Sequence, residues 1–138
     1  MIKLHRFGLF LVVSLLFCFT ACEIVDDDPD ADLRDRFVGT WRFDETEVKS
    51  NQAFYNVDIA YDPSNSSQVV LTNFANVGSF HSAYGIVTED RITIPAQTVA
   101  SLTISGIGNL TTNSTMTWTY AVNDGADLIS YAAIAIKQ

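Results

Sequence analysis

The sequence predicts an all-β fold: a small antiparallel up-and-down β-barrel of about eight strands, with a β-sandwich as the alternative. Three observations predict it. From residue 37 onward Val, Ile, Thr, Tyr, Phe and Trp dominate, the residues that suit a pleated, half-buried surface. Short turn clusters interrupt them at regular intervals, as in barrels and sandwiches. No stretch of eleven residues repeats its apolar positions at helical spacing. Closure into a barrel removes exposed sheet edges, and the first and last strands are both apolar enough to pair with each other.

The strands are read from alternation. The first, 38–47, puts Trp41, Phe43 and Glu45 on one face. The second, 53–61, alternates Ala53, Tyr55, Val57, Ile59 and Tyr61 with Asn56 and Asp58. Asp62-Pro63-Ser64-Asn65 turns the chain into the third, 67–74. Asn76-Val77-Gly78 turns it again into the fourth, 79–88, with Phe80, Tyr84 and Ile86 on one side. The fifth, 91–95, is expected to end at Pro95, which has no ladder donor. The sixth, 98–104, is expected to stop at the glycine-broken Ser105-Gly106-Ile107-Gly108-Asn109. In the seventh, 115–122, Met116, Trp118, Tyr120 and Val122 alternate mainly with threonines. Asn123-Asp124-Gly125 is a hairpin signal, and the eighth strand covers 128–136.

The chain of 138 residues divides into three parts. Residues 1–21 have the layout of a secretory signal: a positive head (Lys3, Arg6), an apolar run over 7–19, then small Thr20 and Ala21. The apolar stretch is shorter than the roughly 20 residues a membrane span needs. Cleavage leaves Cys22 as the one cysteine, unable to form an internal disulfide. An unpaired thiol is out of place in an oxidising compartment unless a covalent bond uses it. Residues 22–36 read as an acidic tether and 37–138 as the barrel. Each of the stretches 23–36 and 37–138 carries a net charge of −5, which leaves the chain without clustered Lys and Arg for nucleic acid.

The run Phe19-Thr20-Ala21-Cys22 resembles the lipobox of bacterial lipoproteins. That resemblance implies a lipid on Cys22, which anchors the protein to a membrane with no protein span. Two or three acyl chains suffice, at about 0.8 kcal/mol per buried methylene. The acidic cluster that follows, Asp26, Asp27 and Asp28, resembles the surface-export signal of Bacteroidota lipoproteins. It implies outer-membrane attachment and display at the cell surface, with the periplasmic face as the alternative. Asp28-Pro29-Asp30-Ala31-Asp32 opens like a calcium loop, but Leu33 and Gly39 stand where such a loop needs Gly and Glu. Gly39-Thr40-Trp41 resembles the Gly-x-Trp of lipocalins and the wider calycin group, in which the Trp plugs one end of the barrel. From Arg34 onward, the segments RDRFVGTWRFDETE, SSQVVLTNF, ITIPAQTV and MTWTYAVNDG resemble small Bacteroidota lipoproteins with a lipocalin-like domain. Where lipocalins place a last-strand arginine on the Trp, this chain has Lys137.

Catalysis is not expected. His81 is the one histidine outside the leader, no Gly-x-Ser-x-Gly elbow occurs, and metal ligands are too few for a zinc site. Asp44, Glu45 and Asp58 are the carboxylates available for sugar chemistry. No cofactor is implied beyond the covalent lipid on Cys22. If the barrel opens at one end, Tyr55, Tyr84, Trp118 and Tyr120 line a pocket, with Trp41 in the core. If it packs shut, as eight strands permit, they fill it. The first arrangement fits a surface binding module for a small apolar or glycan ligand. The second fits a structural lipoprotein that contacts another envelope protein.

Overall fold

The computed structural model describes residues 31–46 and 53–138. The leader 1–21, Cys22, Asp26, Asp27 and Asp28 lie outside the described residues. Eight antiparallel strands close into an up-and-down barrel: β1 Gly39–Glu45, β2 Phe54–Tyr61, β3 Gln68–Thr72, β4 Ser82–Thr88, β5 Arg91–Val99, β6 Leu102–Thr112, β7 Thr115–Asn123 and β8 Leu128–Lys137. Each strand pairs with the next, and β1 meets β8 from Trp41↔Lys137 to Glu45↔Ala133. The barrel, not the sandwich, is formed.

The interior follows the period-two alternation. On β1, Trp41, Phe43 and Glu45 are buried; on β7, Met116, Trp118 and Tyr120. Both strands run from an apolar end to a polar end of the barrel. In between, Phe43, Tyr55, Phe74, Trp118 and Tyr120 form a cluster of rings with centroids 5.1–6.0 Å apart. The rings fit because glycine faces two of them. Gly108 pairs with Trp118 and Gly106 with Tyr120. A Cβ on Gly108 would stand 2.3 Å from the Trp118 ring, and one on Gly106 would stand 2.7 Å from the Tyr120 Cβ. These glycines therefore do not break the sixth strand, as expected from sequence; they supply volume inside it, and β6 continues to Thr112.

Three other expectations are corrected. The fifth strand passes through Pro95 to Val99, with a register shift between Ile94 and Gln97. The shift lets Ile94 and Val99, five residues apart, both point inward. The ladder to β4 stops at Thr93, and the Gln97 side chain takes over. Its amide donates to the Tyr84 carbonyl (2.8 Å) and accepts from the Tyr84 N–H (3.0 Å), as a backbone peptide would. The turn from β5 to β6 is Ala100-Ser101, both at positive φ (51° and 68°). Their side chains carry no turn signal, so the sixth strand begins later than expected. Finally, Tyr84 lies on the outer wall, 40 % exposed, and Ile86 beside it is also exposed. Strand β4 turns its small residues inward because Gly85 lies under Ile92, where a Cβ would come within 2.5 Å of the Ile92 side chain. Phe80 is 97 % exposed in the preceding loop.

One end of the barrel is sealed. The Trp41 indole donates to the Phe37 carbonyl at 2.6 Å. The Lys137 ammonium stands 5.4 Å from the Trp41 ring centre and donates to the Arg36 carbonyl, so a lysine fills the place of the last-strand arginine. Gly39 has φ +133°, and its bare α-carbon faces the Lys137 stem at a distance that leaves little room for a side chain. A 3-10 turn, Leu33–Arg36, crosses this end. Arg34 pairs with Asp32 through both carboxylate oxygens and donates to the carbonyls of Asp62, Asn65 and Gln68. Its guanidinium holds the Asp32 carboxyl below the usual carboxylate range. Arg36 pairs with Asp90.

The ring-for-glycine exchange is testable. Gly108→Ala should lower the unfolding free energy by roughly 1–3 kcal/mol through overpacking. Combining it with Trp118→Leu should cost less than the sum of the single changes in chemical denaturation. Strict additivity would mean that the two positions do not compete for one volume.

Candidate functional site

The end opposite Trp41 is shaped differently. Among the described residues it is bordered by the β3–β4 loop and the β5–β6 and β7–β8 turns, which the up-and-down order brings together at one rim. The loop after β3 holds Asn73, Ala75 and Asn76 at positive φ (64°, 56° and 55°). These conformations are costly for residues with a Cβ. They let the 3-10 turn Phe74–Asn76 drive the Phe74 ring down between Phe43, Trp118 and Tyr120. Asn73 secures the loop, accepting from the Gly78 N–H and donating to the Asn56 carbonyl.

At this end lies a cavity of about 240 Å³, lined by Glu45, Ala75, Asn76, Leu102, Tyr120, Val122 and Tyr131. Glu45 is 8 % exposed and is the one buried charged residue among those described. Its carboxylate accepts a hydrogen bond from the Tyr120 hydroxyl. The Tyr55 and Tyr120 hydroxyls are 2.9 Å apart. Because Tyr120 spends its single proton on Glu45, Tyr55 donates the second bond. Tyr131 stacks on Tyr120, with centroids 5.2 Å apart and planes 14° off parallel. Burial foremost raises both the Tyr55 and Tyr120 hydroxyls far above the ordinary phenol range, and the Glu45 carboxylate adds to the shift.

The residues singled out from sequence divide among three places. Tyr120 lines the mouth and Tyr55 supports it from below. Trp118 belongs to the filled waist, where its indole N–H has no hydrogen-bond partner among the described residues. Trp41 is the floor plug, and Tyr84 is outside. Of the three carboxylates, only Glu45 points inward. Asp44 pairs with Arg42 on the outer wall, and Asp58 accepts from the Thr40 hydroxyl there. They do not form a pair across a cleft. No three His, Cys, Asp or Glu side chains converge among the described residues. Sequence reading missed Tyr131, Phe74 and Asn76 as site residues. For Tyr131 the signal was present, since it pairs with Tyr120 across the last hairpin.

A larger concavity than the mouth, about 540 Å³, lies elsewhere. It is an open groove on the outer wall over Gly106, flanked by Thr93, Ser105, Ile107, Thr119, Ala121 and Ser130. Its exposed surface is mainly apolar, with the hydroxyls of Thr93, Ser105, Thr119 and Ser130 but no charged group.

No protein-family model matches the chain, and no curated protein matches it. Solved structures do. A redesigned β-barrel, b11L5F_LGL, aligns with a TM-score of 0.51 at 13% identity, covering 78% of this chain and 96% of its own. The structure of EF1p2_mFAP2b bound to DFHBI aligns with a TM-score of 0.51 at 12% identity, covering 78% of this chain and all of its own. At such identities the likeness is one of fold, and it agrees with a closed antiparallel barrel.

The tyrosine pair sets an alkaline limit on stability. An unfolded phenol ionises near pH 10, whereas Tyr55 and Tyr120 resist ionisation when folded. The folded state therefore binds more protons above that pH, and unfolding is favoured as pH rises. Their contribution is whole below about pH 10 and should fall above it by about 2.7 kcal/mol per pH unit for the two together. A Tyr55→Phe, Tyr120→Phe double variant should show a flatter decline in denaturation above pH 10. An identical decline in both proteins would remove the pair as its cause.

Proposed function

We propose that the chain is a lipid-anchored envelope lipoprotein whose barrel binds a small, largely apolar ligand, or one sugar unit of a glycan, at its open mouth without catalysing a reaction. One observation carries the binding reading: a buried carboxylate and two buried hydroxyls are spent at the rim of an otherwise apolar interior. Leucine and phenylalanine there would fill the same space without desolvating a charge, a cost that only pairing offsets. Polar groups that break the pattern of a core are the usual mark of a site. The known barrel bound to DFHBI supports the capacity of such a fold to hold a small molecule.

The anchor reading rests on Cys22 and its resemblance to the lipobox, and surface display rests on Asp26, Asp27 and Asp28. The position of Arg34 is consistent with both. It ties the start of the barrel to the sealed end, so a lipid on Cys22 would leave the mouth facing away from the membrane. The ten-residue stretch 22–31 could span at most about 36 Å when extended. A second reading, an interaction lipoprotein that docks another envelope protein, is favoured by the outer groove over Gly106.

Mass spectrometry of the protein extracted from membranes should find its first residue to be Cys22, with the mass of attached acyl chains. Unmodified protein that begins elsewhere would sink the anchor. Cys22→Ala should leave the protein unprocessed or released. Changing Asp26, Asp27 and Asp28 to asparagine should lower protease accessibility on whole cells, and unchanged accessibility would count against the export role. Native mass spectrometry of the barrel should detect a bound small molecule that Leu102→Trp displaces by filling the mouth. Partner capture lost in Ala121→Trp but kept in Leu102→Trp would favour the outer groove instead.

A further inference from the structure

We propose that the mouth is built for a small organic cation, a protonated amine on a short apolar body. The inference rests on the mouth being the binding site and names the chemistry of its ligand. Glu45 is the starting point. It is more than nine-tenths buried, and it faces the cavity. The Tyr120 hydroxyl donates to it, and the Tyr55 hydroxyl stands beside the pair. A neutral hydroxyl does not balance the charge of a carboxylate taken out of water.

No described cation is placed to do so. Arg34 is committed to Asp32, Arg36 to Asp90 and Arg42 to Asp44. Arg91 donates to Asn109 on the wall, and Lys137 lies over Trp41 at the sealed end. Among the described residues, the carboxylate at the rim thus has no cationic partner. The surroundings select the kind of cation. Ala75, Leu102 and Val122 form apolar walls, and the stacked Tyr120 and Tyr131 rings border the same space. A carboxylate beside aromatic rings suits an ammonium group, which gains an ion pair, hydrogen bonds and ring attraction together. A cavity of about 240 Å³ limits the body to a few carbons or one ring. The whole-chain charge of −8 draws cations toward the barrel.

Binding of phenethylamine and its neutral isostere 2-phenylethanol to the detergent-solubilised mature protein tests the proposal, followed by calorimetry. The amine should bind at least tenfold tighter than the alcohol, and Glu45→Gln should erase the difference. The wild-type comparison stands even if that variant fails to fold. Equal affinity for both probes, lost in Leu102→Trp, would overturn the amine and leave the mouth as the site. Binding of neither probe, or binding untouched by Leu102→Trp, would overturn both. Lys49 lies outside the described residues, so a Lys49→Met variant is included. Amine affinity unchanged in it supports the proposal, whereas a tenfold gain would make Lys49 the resident partner of Glu45 and overturn it.

Discussion

The structure depends on a volume constraint inside β6 and β7. An eight-stranded barrel has a lumen just wide enough for one set of side chains. This chain places an indole and a phenol on one strand at its centre, and the facing positions of the next strand are Gly108 and Gly106. The bulk on β7 is compatible with closure only because β6 gives way by a whole side chain at each level. The neighbouring β8 does the same more mildly, with Ala133 and Ala135 facing inward. Interiors are close-packed, so a change at one of these positions must be answered at its partner.

The filled waist divides the lumen into a floor and a mouth that do different work. On β1 the inward residues are Trp41 at the floor, Phe43 at the waist and Glu45 at the rim; on β7 they are Met116, Trp118 and Tyr120. Polarity thus rises along two strands in the same direction. The Tyr120 ring is held between Phe74 and Tyr131, which aims its hydroxyl at Glu45. Phe74 reaches that place through a loop with three non-glycine residues at positive φ. A loop that existed only to connect β3 and β4 would not need such conformations. Here they place the Phe74 ring against Phe43, Trp118 and Tyr120, while Ala75 and Asn76 of the same turn line the mouth.

Most of the fold was legible in the sequence because strand alternation is a local signal. Trp41, Phe43 and Glu45 share a face by parity alone, and so do Met116, Trp118 and Tyr120. The misreadings occurred where a residue's meaning is set by its cross-strand neighbour. Gly106 and Gly108 look like a break until Tyr120 and Trp118 are known to face them. Pro95 looks like an end until Gln97 is seen to replace the ladder with its side chain. Tyr84 looks like core until Gly85 is seen under Ile92, which reverses the face of β4. The site was half legible for the same reason. Tyr55 and Tyr120 followed from parity, and Glu45 lay on the same inward face as Trp41 and Phe43. The sequence reading grouped it with Asp44 and Asp58, although its place on that inward face was a signal that could have separated it. Phe74 and Asn76 belong to a loop whose path no periodicity encodes.

The two ends also differ in how they are held, and that difference bears on orientation. The floor is fastened by long side chains that each make several contacts. Arg34 spans Asp32 and three carbonyls of the β2–β3 turn, and Lys137 bridges the Trp41 ring and the Arg36 carbonyl. Planar guanidinium suits such multiple contacts, and the cost of ordering it is shared among several bonds. None of the described cations fastens the mouth, whose described border consists of short turns, one strained loop and a buried carboxylate. A pull applied through the chain before Asp32 therefore acts on the end that is best secured. Under the proposed lipid anchor, the load would thus fall on the floor and not on the rim.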